Sequence, residues 1–178
     1  MQPWRKKKGL MRSAKFVTTL DPMEREVLGD LTSSVAEALI QRARSAPKDE
    51  LAEMMGMASG NKEAPEDPSL ARLLPDFERE GDEEYEGENS LLRALHENDI
   101  IKNKLENLQA ITTAVGPDGG VEISLTEQEA QQFIAALNDL RLFLSAAEVR
   151  SEGEQQDRDN LVEWLAFNQD SLLTAMME

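Results

Sequence analysis

The chain has 178 residues, 35 acids against 19 lysines and arginines, a formal charge of −16, and 40% apolar residues. This composition supports one folded domain and excludes a wholly disordered chain. With no cysteine and one histidine, disulfides, thiolate metal sites, cysteine nucleophiles and a multi-histidine centre within one chain are excluded.

Charge is unevenly placed. Arg5, Lys6, Lys7, Lys8, Arg12 and Lys15 all precede the first acid, Asp21. Residues 1–20 therefore read as a basic N-terminal arm ahead of an acidic body. Such an arm attracts polyanions that the body repels; the plain alternative is a solvated tail folding back on that body. Within it, Phe16-Val17-Thr18-Thr19 favours a short extended segment. The N-terminus lacks an apolar signal core, and no apolar run approaches the ~20 residues that cross a bilayer. The expectation is a cytoplasmic protein without membrane contact.

Residues 21–178 read as a single helical domain. Asp21-Pro22-Met23-Glu24 opens the first helix with a cap, a proline at the first position and a reciprocal glutamate. Leu28, Leu31, Val35, Leu39 and Arg42 carry it to about Ser45. Pro47 starts a short second helix, Lys48 to Met57, followed by a loop to Pro68. Pro68 to Leu74 forms a further turn or two, stopped by Pro75. Asp76 to Glu88 holds eight acids and two glycines, which predicts a mobile, self-repelling loop. Asn89 or Ser90 opens a helix with the stripe Leu91, Leu95, Ile101, Leu105, Leu108 and Val115. Gly116-Pro117-Asp118-Gly119-Gly120 ends it. Val121 to Leu125 alternates and can pair with Phe16 to Thr19 as a ribbon.

Thr126-Glu127-Gln128-Glu129 is a capping box. Phe133, Leu137, Leu140, Leu144 and Ala147 follow as a seam, so this helix is expected to be central. Ser151 to Asn160 is polar and reads as a connection. Asp159 or Asn160 then caps a last helix whose apolar residues almost encircle it, which suggests burial against several neighbours or a second subunit. The fold class is all-α: a helical bundle of four to five helices with at most a minor two-stranded β-ribbon.

Chemical motifs are sparse. His96 has Asp99 and Asn103 nearby on its helix, too little for a metal or hydrolytic centre. The calcium-loop and phosphate-loop patterns are missing. No catalytic, metal or cofactor site is assigned, and an enzyme is not expected. Met54, Met55, Met57, Met176 and Met177 read as adaptable packing, with reversible oxidation to sulfoxide as the alternative. Arg141 lies beside the main seam. It is read either as a surface residue or as one needing a carboxylate from another helix, since Asp139 is too near in sequence to face it.

Pro3-Trp4 with its basic run, Glu66-Asp67-Pro68-Ser69-Leu70-Ala71-Arg72-Leu73-Leu74-Pro75-Asp76, Ala136-Leu137-Asn138-Asp139-Leu140-Arg141-Leu142, and Trp164-Leu165 with Gln169 and Leu172 form a recognisable set. Over nearly the whole chain it resembles an actinobacterial domain-of-unknown-function family. Members are often encoded beside the proteolytic adaptor ClpS, and some are oxidative-stress transcription regulators of the AosR/OsnR type. The resemblance implies a helical regulator that binds DNA, a sigma factor, or both. A thiol switch described within the family does not carry over, because this chain has no cysteine.

The DNA contact is expected on Arg5, Lys6, Lys7, Lys8, Arg12 and Lys15, with Pro3 and Trp4 available for a minor-groove or stacking contact. Homodimer or partner contacts are expected on Arg72, Asp139, Arg141, Trp164, Phe167, Leu172 and Met176. The rival reading is an acidic adaptor that docks on a basic protein of the transcription or proteolysis machinery without touching DNA.

Overall fold

The computed structural model describes residues 1–9, 12–57, 59–79, 85–116 and 121–178. Among them the elements are β1 (Arg5–Gly9), β2 (Arg12–Thr19), α1 (Pro22–Arg44), α2 (Glu50–Met54), α3 (Pro68–Leu73), α4 (Tyr85–Val115), β3 (Glu122–Leu125), α5 (Glu127–Ser145) and α6 (Glu152–Met177). The molecule is mostly helical, as its sequence periodicity predicts, but with six helices among the described residues where four to five were expected. The small β component is larger than expected: a three-stranded antiparallel sheet in the order β1-β2-β3 replaces the two-stranded ribbon.

The predicted ribbon is present in that sheet. Phe16 pairs with Leu125, Val17 with Ser124, Thr18 with Ile123 and Thr19 with Glu122. The added strand is the basic segment itself. Arg5 pairs with Val17, Lys6 with Phe16 and Lys7 with Lys15. Lysine runs have low strand propensity and β1 has no apolar alternation, so the segment reads as an arm when taken alone. Tertiary anchoring makes it a strand. Trp4 is buried in an edge-to-face contact with Phe133, ring centroids 5.5 Å apart. Its Nε1 donates to Asn168 Oδ1 at 2.6 Å, and its backbone N–H donates to Ser171 Oγ at 2.8 Å. Trp4 is thus a core residue of this chain and is not available for a minor-groove or stacking contact.

α5 is central, packing against α6, α4, α3, α1 and the sheet. Ala130, Phe133, Ala136, Leu137 and Leu140 are its buried face. Thr126 caps it by accepting from the Glu129 backbone N–H at 3.2 Å, while Glu129 accepts from the Thr126 N–H at 2.7 Å. α6 is capped by Ser151, which accepts from the Glu154 N–H, eight residues before the expected Asp159 and nine before Asn160. Its first turns are polar because they project into solvent. A search for apolar periodicity therefore passes over them.

α4 departs most from the predicted stripe. It already runs at Tyr85, so residues 85–88 of the expected acidic loop are helical. Residues 80–84 of that loop lie outside the described residues. Asp76 is tied down through Arg93, and the N–H groups of Phe77 and Glu78 both donate to Asn89 Oδ1. Leu91 is exposed, and the inward positions of the first turns belong to Asn89, Arg93 and Glu97. Arg93 Nη1 donates to Glu97 Oε2 at 2.9 Å and to the Leu74 carbonyl at 3.0 Å, and Arg93 Nη2 reaches Asp76 Oδ1 at 2.8 Å. Arg42 Nε of α1 donates to Glu97 Oε1 at 2.7 Å. Buried charges persist only when paired and hydrogen-bonded, and this cluster joins α1, α4 and the end of α3.

Glu24 ties the N-terminus to the helices. The Met1 ammonium donates to its Oε1 at 2.7 Å, Trp164 Nε1 to the same oxygen at 3.0 Å, and the Asp21 backbone N–H to Oε2 at 2.7 Å. Burial alone would raise its pKa; these hydrogen bonds and the ammonium charge outweigh it and hold the carboxyl below its ordinary 4.5. A carboxyl lowered on folding stabilises the native state above its unfolded value, and the stabilisation is lost as pH falls through the lowered native value. Glu24→Gln should therefore reduce Tm at pH 7. The gap from the parent should narrow once the pH drops below about 4.5, measured by thermal melts across pH.

Candidate nucleic-acid interface

The sheet has two unlike faces. Phe16, Thr18, Leu20, Ile123 and Leu125 point inward and are buried. The opposite face carries Arg5, Lys7 and Lys15, all exposed, with Val17 and Ser124 between them. This is the alternation that strand geometry imposes. The register slips between Lys7 and Gly9. Lys8, Ser13 and Glu122 join Arg5, Lys7 and Lys15 in lining one shallow concavity of about 470 Å³.

Lys7 and Lys15 stand directly opposite each other across β1 and β2. Like charges at paired positions destabilise a sheet, so this pair opposes folding and suits an external anion. The ion pairs among the described residues do not include Arg5, Lys6, Lys7, Lys8 or Lys15. Lys6 turns the other way and lies 5.8 Å from the Phe16 ring centroid. Lys15 also acts on Glu129. The Thr126 backbone hydrogen bond chiefly lowers that carboxyl's pKa, with a smaller share from the Lys15 charge. Arg12 belongs to β2, and its side chain lies outside the described residues. Among the described residues no aromatic side chain lines the concavity. Its described groups are cations and hydroxyls, with Glu122 as an acid, the kind that pair with phosphate rather than stack on bases.

The partner-contact residues are dispersed. Asp139 is buried and accepts from Lys104 Nζ of α4 at 2.8 Å. Arg141, read either as a surface residue or as one needing a carboxylate, is half-buried and meets an amide: Nη1 donates to Gln169 Oε1 at 2.6 Å. Leu172 is fully buried in the core, so it is not available to a partner, because α6 turns that face toward α5 and the sheet. Trp164 and Met176 are half-buried against the core. Arg72 and Phe167 are exposed. The long run around Arg72 is mostly a local folding device: Asp67 caps α3 through the Leu70 N–H, Ser69 Oγ donates to the Phe143 carbonyl, and Asp76 meets Arg93.

The sequence singles out the cations but reads them as an arm rather than a strand of the sheet. It missed Ser13 and Ser124, whose position on the same face depends on strand pairing. His96 is exposed beside Phe77, ring centroids 6.3 Å apart. Among the described residues no group of three or more His, Asp or Glu is arranged to hold a metal ion. No helix there is long and apolar enough to cross a membrane.

Residues 1–176 match the family described as a domain of unknown function, DUF2017. The chain is 35% identical over 181 residues to the oxidative stress regulator AosR of Mycobacterium tuberculosis (strain H37Rv), covering 92% of this chain and 83% of that protein. The protein of the same name from Mycobacterium bovis shows the same identity and coverage. No solved structure matches the chain.

Proposed function

The chain belongs to the DUF2017 family, and from that premise we propose that it is a non-enzymatic, cytoplasmic regulator of the oxidative-stress response that contacts DNA through the outer face of its sheet. The observation that carries the DNA contact is the opposed Lys7 and Lys15 beside Arg5, exposed and without ion-pair partners among the described residues. An acidic body then limits the contact to this face, because the remaining surface repels phosphate. Affinity on such a face comes chiefly from counterion release and depends steeply on salt. The test is retention of duplex DNA across a salt series by the parent and by the triple variant Arg5→Gln, Lys7→Gln, Lys15→Gln.

A second reading has its own support. The exposed first turns of α6 present Glu152, Glu154, Asp157 and Asp159 to solvent. That end suits a basic surface on a protein partner such as a sigma factor, through electrostatic steering. Under this reading the sheet variants leave partner capture intact. Homodimerisation belongs to the proposal as well: Phe167, Leu173 and Met177 leave apolar surface exposed along α6, and sedimentation equilibrium of the full chain measures it.

A further inference from the structure

The two edges of the sheet are unlike. β1 lies against α6, where the flanking Trp4 N–H donates to Ser171 Oγ. β3 is the opposite edge. Its pairing with β2 fixes which backbone groups it leaves over. The Leu20 N–H donates to the Val121 carbonyl at 2.8 Å, so these two residues form a hydrogen-bonded pair. In an antiparallel ladder such pairs alternate with pairs that are not bonded to each other. Ile123 and Leu125 therefore turn their N–H and C=O groups toward β2, and Glu122 and Ser124 turn theirs away from it. Among the described residues no hydrogen bond reaches the backbone of Glu122 or Ser124 from that outer side. The edge opens into a groove of about 620 Å³, walled by Glu106, Gln109 and Thr113 of α4 and by Glu129 and Gln132 of α5. Glu106, Glu122 and Glu129 line it and, among the described residues, no lysine or arginine does. Lys15 acts on Glu129 but lines the concavity of the sheet's outer face, not this groove.

We propose that the free edge of β3 takes an extended, lysine- or arginine-rich segment of a protein partner as an added strand, with its cations beside Glu106, Glu122 and Glu129. An exposed sheet edge binds an extended chain through main-chain hydrogen bonds, and the side chains around it select which chain. Here the N–H and C=O groups of Glu122 and Ser124 supply the ladder, and the three glutamates select positive charge. The same acids disfavour the β3 edge of a second copy, because pairing two such edges sets like charges side by side. The β1 strand of a second copy carries the right charge, but α6 and Ser171 hold its edge. The groove lies on the other side of β3 from the cationic face and repels phosphate. The partner site therefore goes beyond the regulator reading and stands whether or not the sheet face contacts DNA.

The experiment titrates the full chain with a labelled peptide of about six residues that alternates threonine and lysine, a strand-forming cationic probe. Anisotropy reads affinity, and amide hydrogen exchange reads the place. The Glu122 and Ser124 amides should gain protection on binding, whereas Ile123 and Leu125, already bonded to β2, should change little. Methylating the peptide's backbone nitrogens at alternate positions, in the register that faces β3, should weaken binding at least about tenfold, as should Ser124→Pro, because each removes ladder donors. Ser124→Pro is compatible with the fold, since proline is accepted at an edge where the N–H points away from the ladder; thermal melts check this, and the methylated peptide gives the same test on the parent chain. Glu106→Gln with Glu122→Gln should weaken binding about threefold to tenfold, the range for two exposed ion pairs, and a threonine–glutamate peptide should not bind. No binding at about 1 mM peptide, equal binding by the methylated peptide, or binding that leaves the Glu122 and Ser124 amides unprotected would overturn the proposal. Self-association of the chain alone that Ser124→Pro abolishes would also overturn it, by giving the edge to a second copy. None of these failures touches the DNA reading, which is measured on duplex DNA through Arg5, Lys7 and Lys15.

Discussion

Replacing Arg5, Lys7 and Lys15 together by glutamine should weaken DNA binding about 100-fold at 0.15 M salt and reduce the log–log salt slope by about 3, one for each lost phosphate contact. The size follows from counterion release: each neutralised phosphate contributes a slope near 0.9 on B-DNA, and three such terms compound at physiological salt. The loss should be nearly uniform across DNA sequences, because contacts to phosphate position a protein without reading bases. Stability should hold or rise, since the substitutions relieve the repulsion between Lys7 and Lys15 across β1 and β2. The matched control is Lys48→Gln with Lys102→Gln, exposed cations away from the sheet, which should barely change the affinity. Fluorescence anisotropy over a salt series, paired with thermal melts, reads both quantities.

Trp4→Ala should cost about 3–5 kcal/mol of unfolding free energy, the usual range for truncating a buried aromatic residue. It removes the edge-to-face contact with Phe133 and leaves Asn168 without its indole donor, although the Ser171 bond to the Trp4 backbone survives. Asn168 Nδ2 meets no protein acceptor among the described residues, so without the indole neither end of that buried amide has a protein partner there. Trp4→Phe should cost about 1–3 kcal/mol, because it keeps most of the ring but orphans the Asn168 oxygen. The two variants separate packing from hydrogen bonding. β1 has no helix beneath it other than through this anchor and α6, so Trp4→Ala should also accelerate hydrogen exchange at Lys6 and Lys8 before the helices open. Denaturant melts measure the first effect and peptide-resolved exchange the second. A cost under about 1 kcal/mol for Trp4→Ala would mean that the N-terminal strand is not anchored as described.

The helices and the β2–β3 pairing were legible because they follow simple periods. The capping signals at Asp21 and Thr126 place the starts of α1 and α5, and the seam from Phe133 to Leu140 identifies the central helix. Two features were not legible for a shared physical reason: charged residues took positions that apolar templates assign to solvent or tails. Arg93 and Glu97 are buried on α4, where each satisfies the other's charge and Arg42 and Asp76 complete the set. Arg5 to Lys8 form a strand because Trp4 fixes one end and β2 supplies the ladder. Neither event leaves a local pattern in the sequence. The candidate site shows the same division. Its cations were named from composition, whereas the face they share with Ser13 and Ser124 exists only once the register is set.

The acidity of the remaining chain has a consequence for binding geometry. Under the proposed contact, the exposed Arg5, Lys7 and Lys15 of one sheet face would offer duplex DNA a small favourable area within an otherwise acidic surface. Such an arrangement gives fixed orientation at modest affinity, and two copies in a dimer would multiply the effect through effective concentration.

Lysine acetylation footprinting in the presence and absence of duplex DNA tests the sheet-face contact most directly. The account predicts protection of Lys7 and Lys15 on binding, with Lys48 and Lys102 modified at the same rate in both states. Bound DNA that leaves Lys7 and Lys15 as reactive as in the free protein would contradict it.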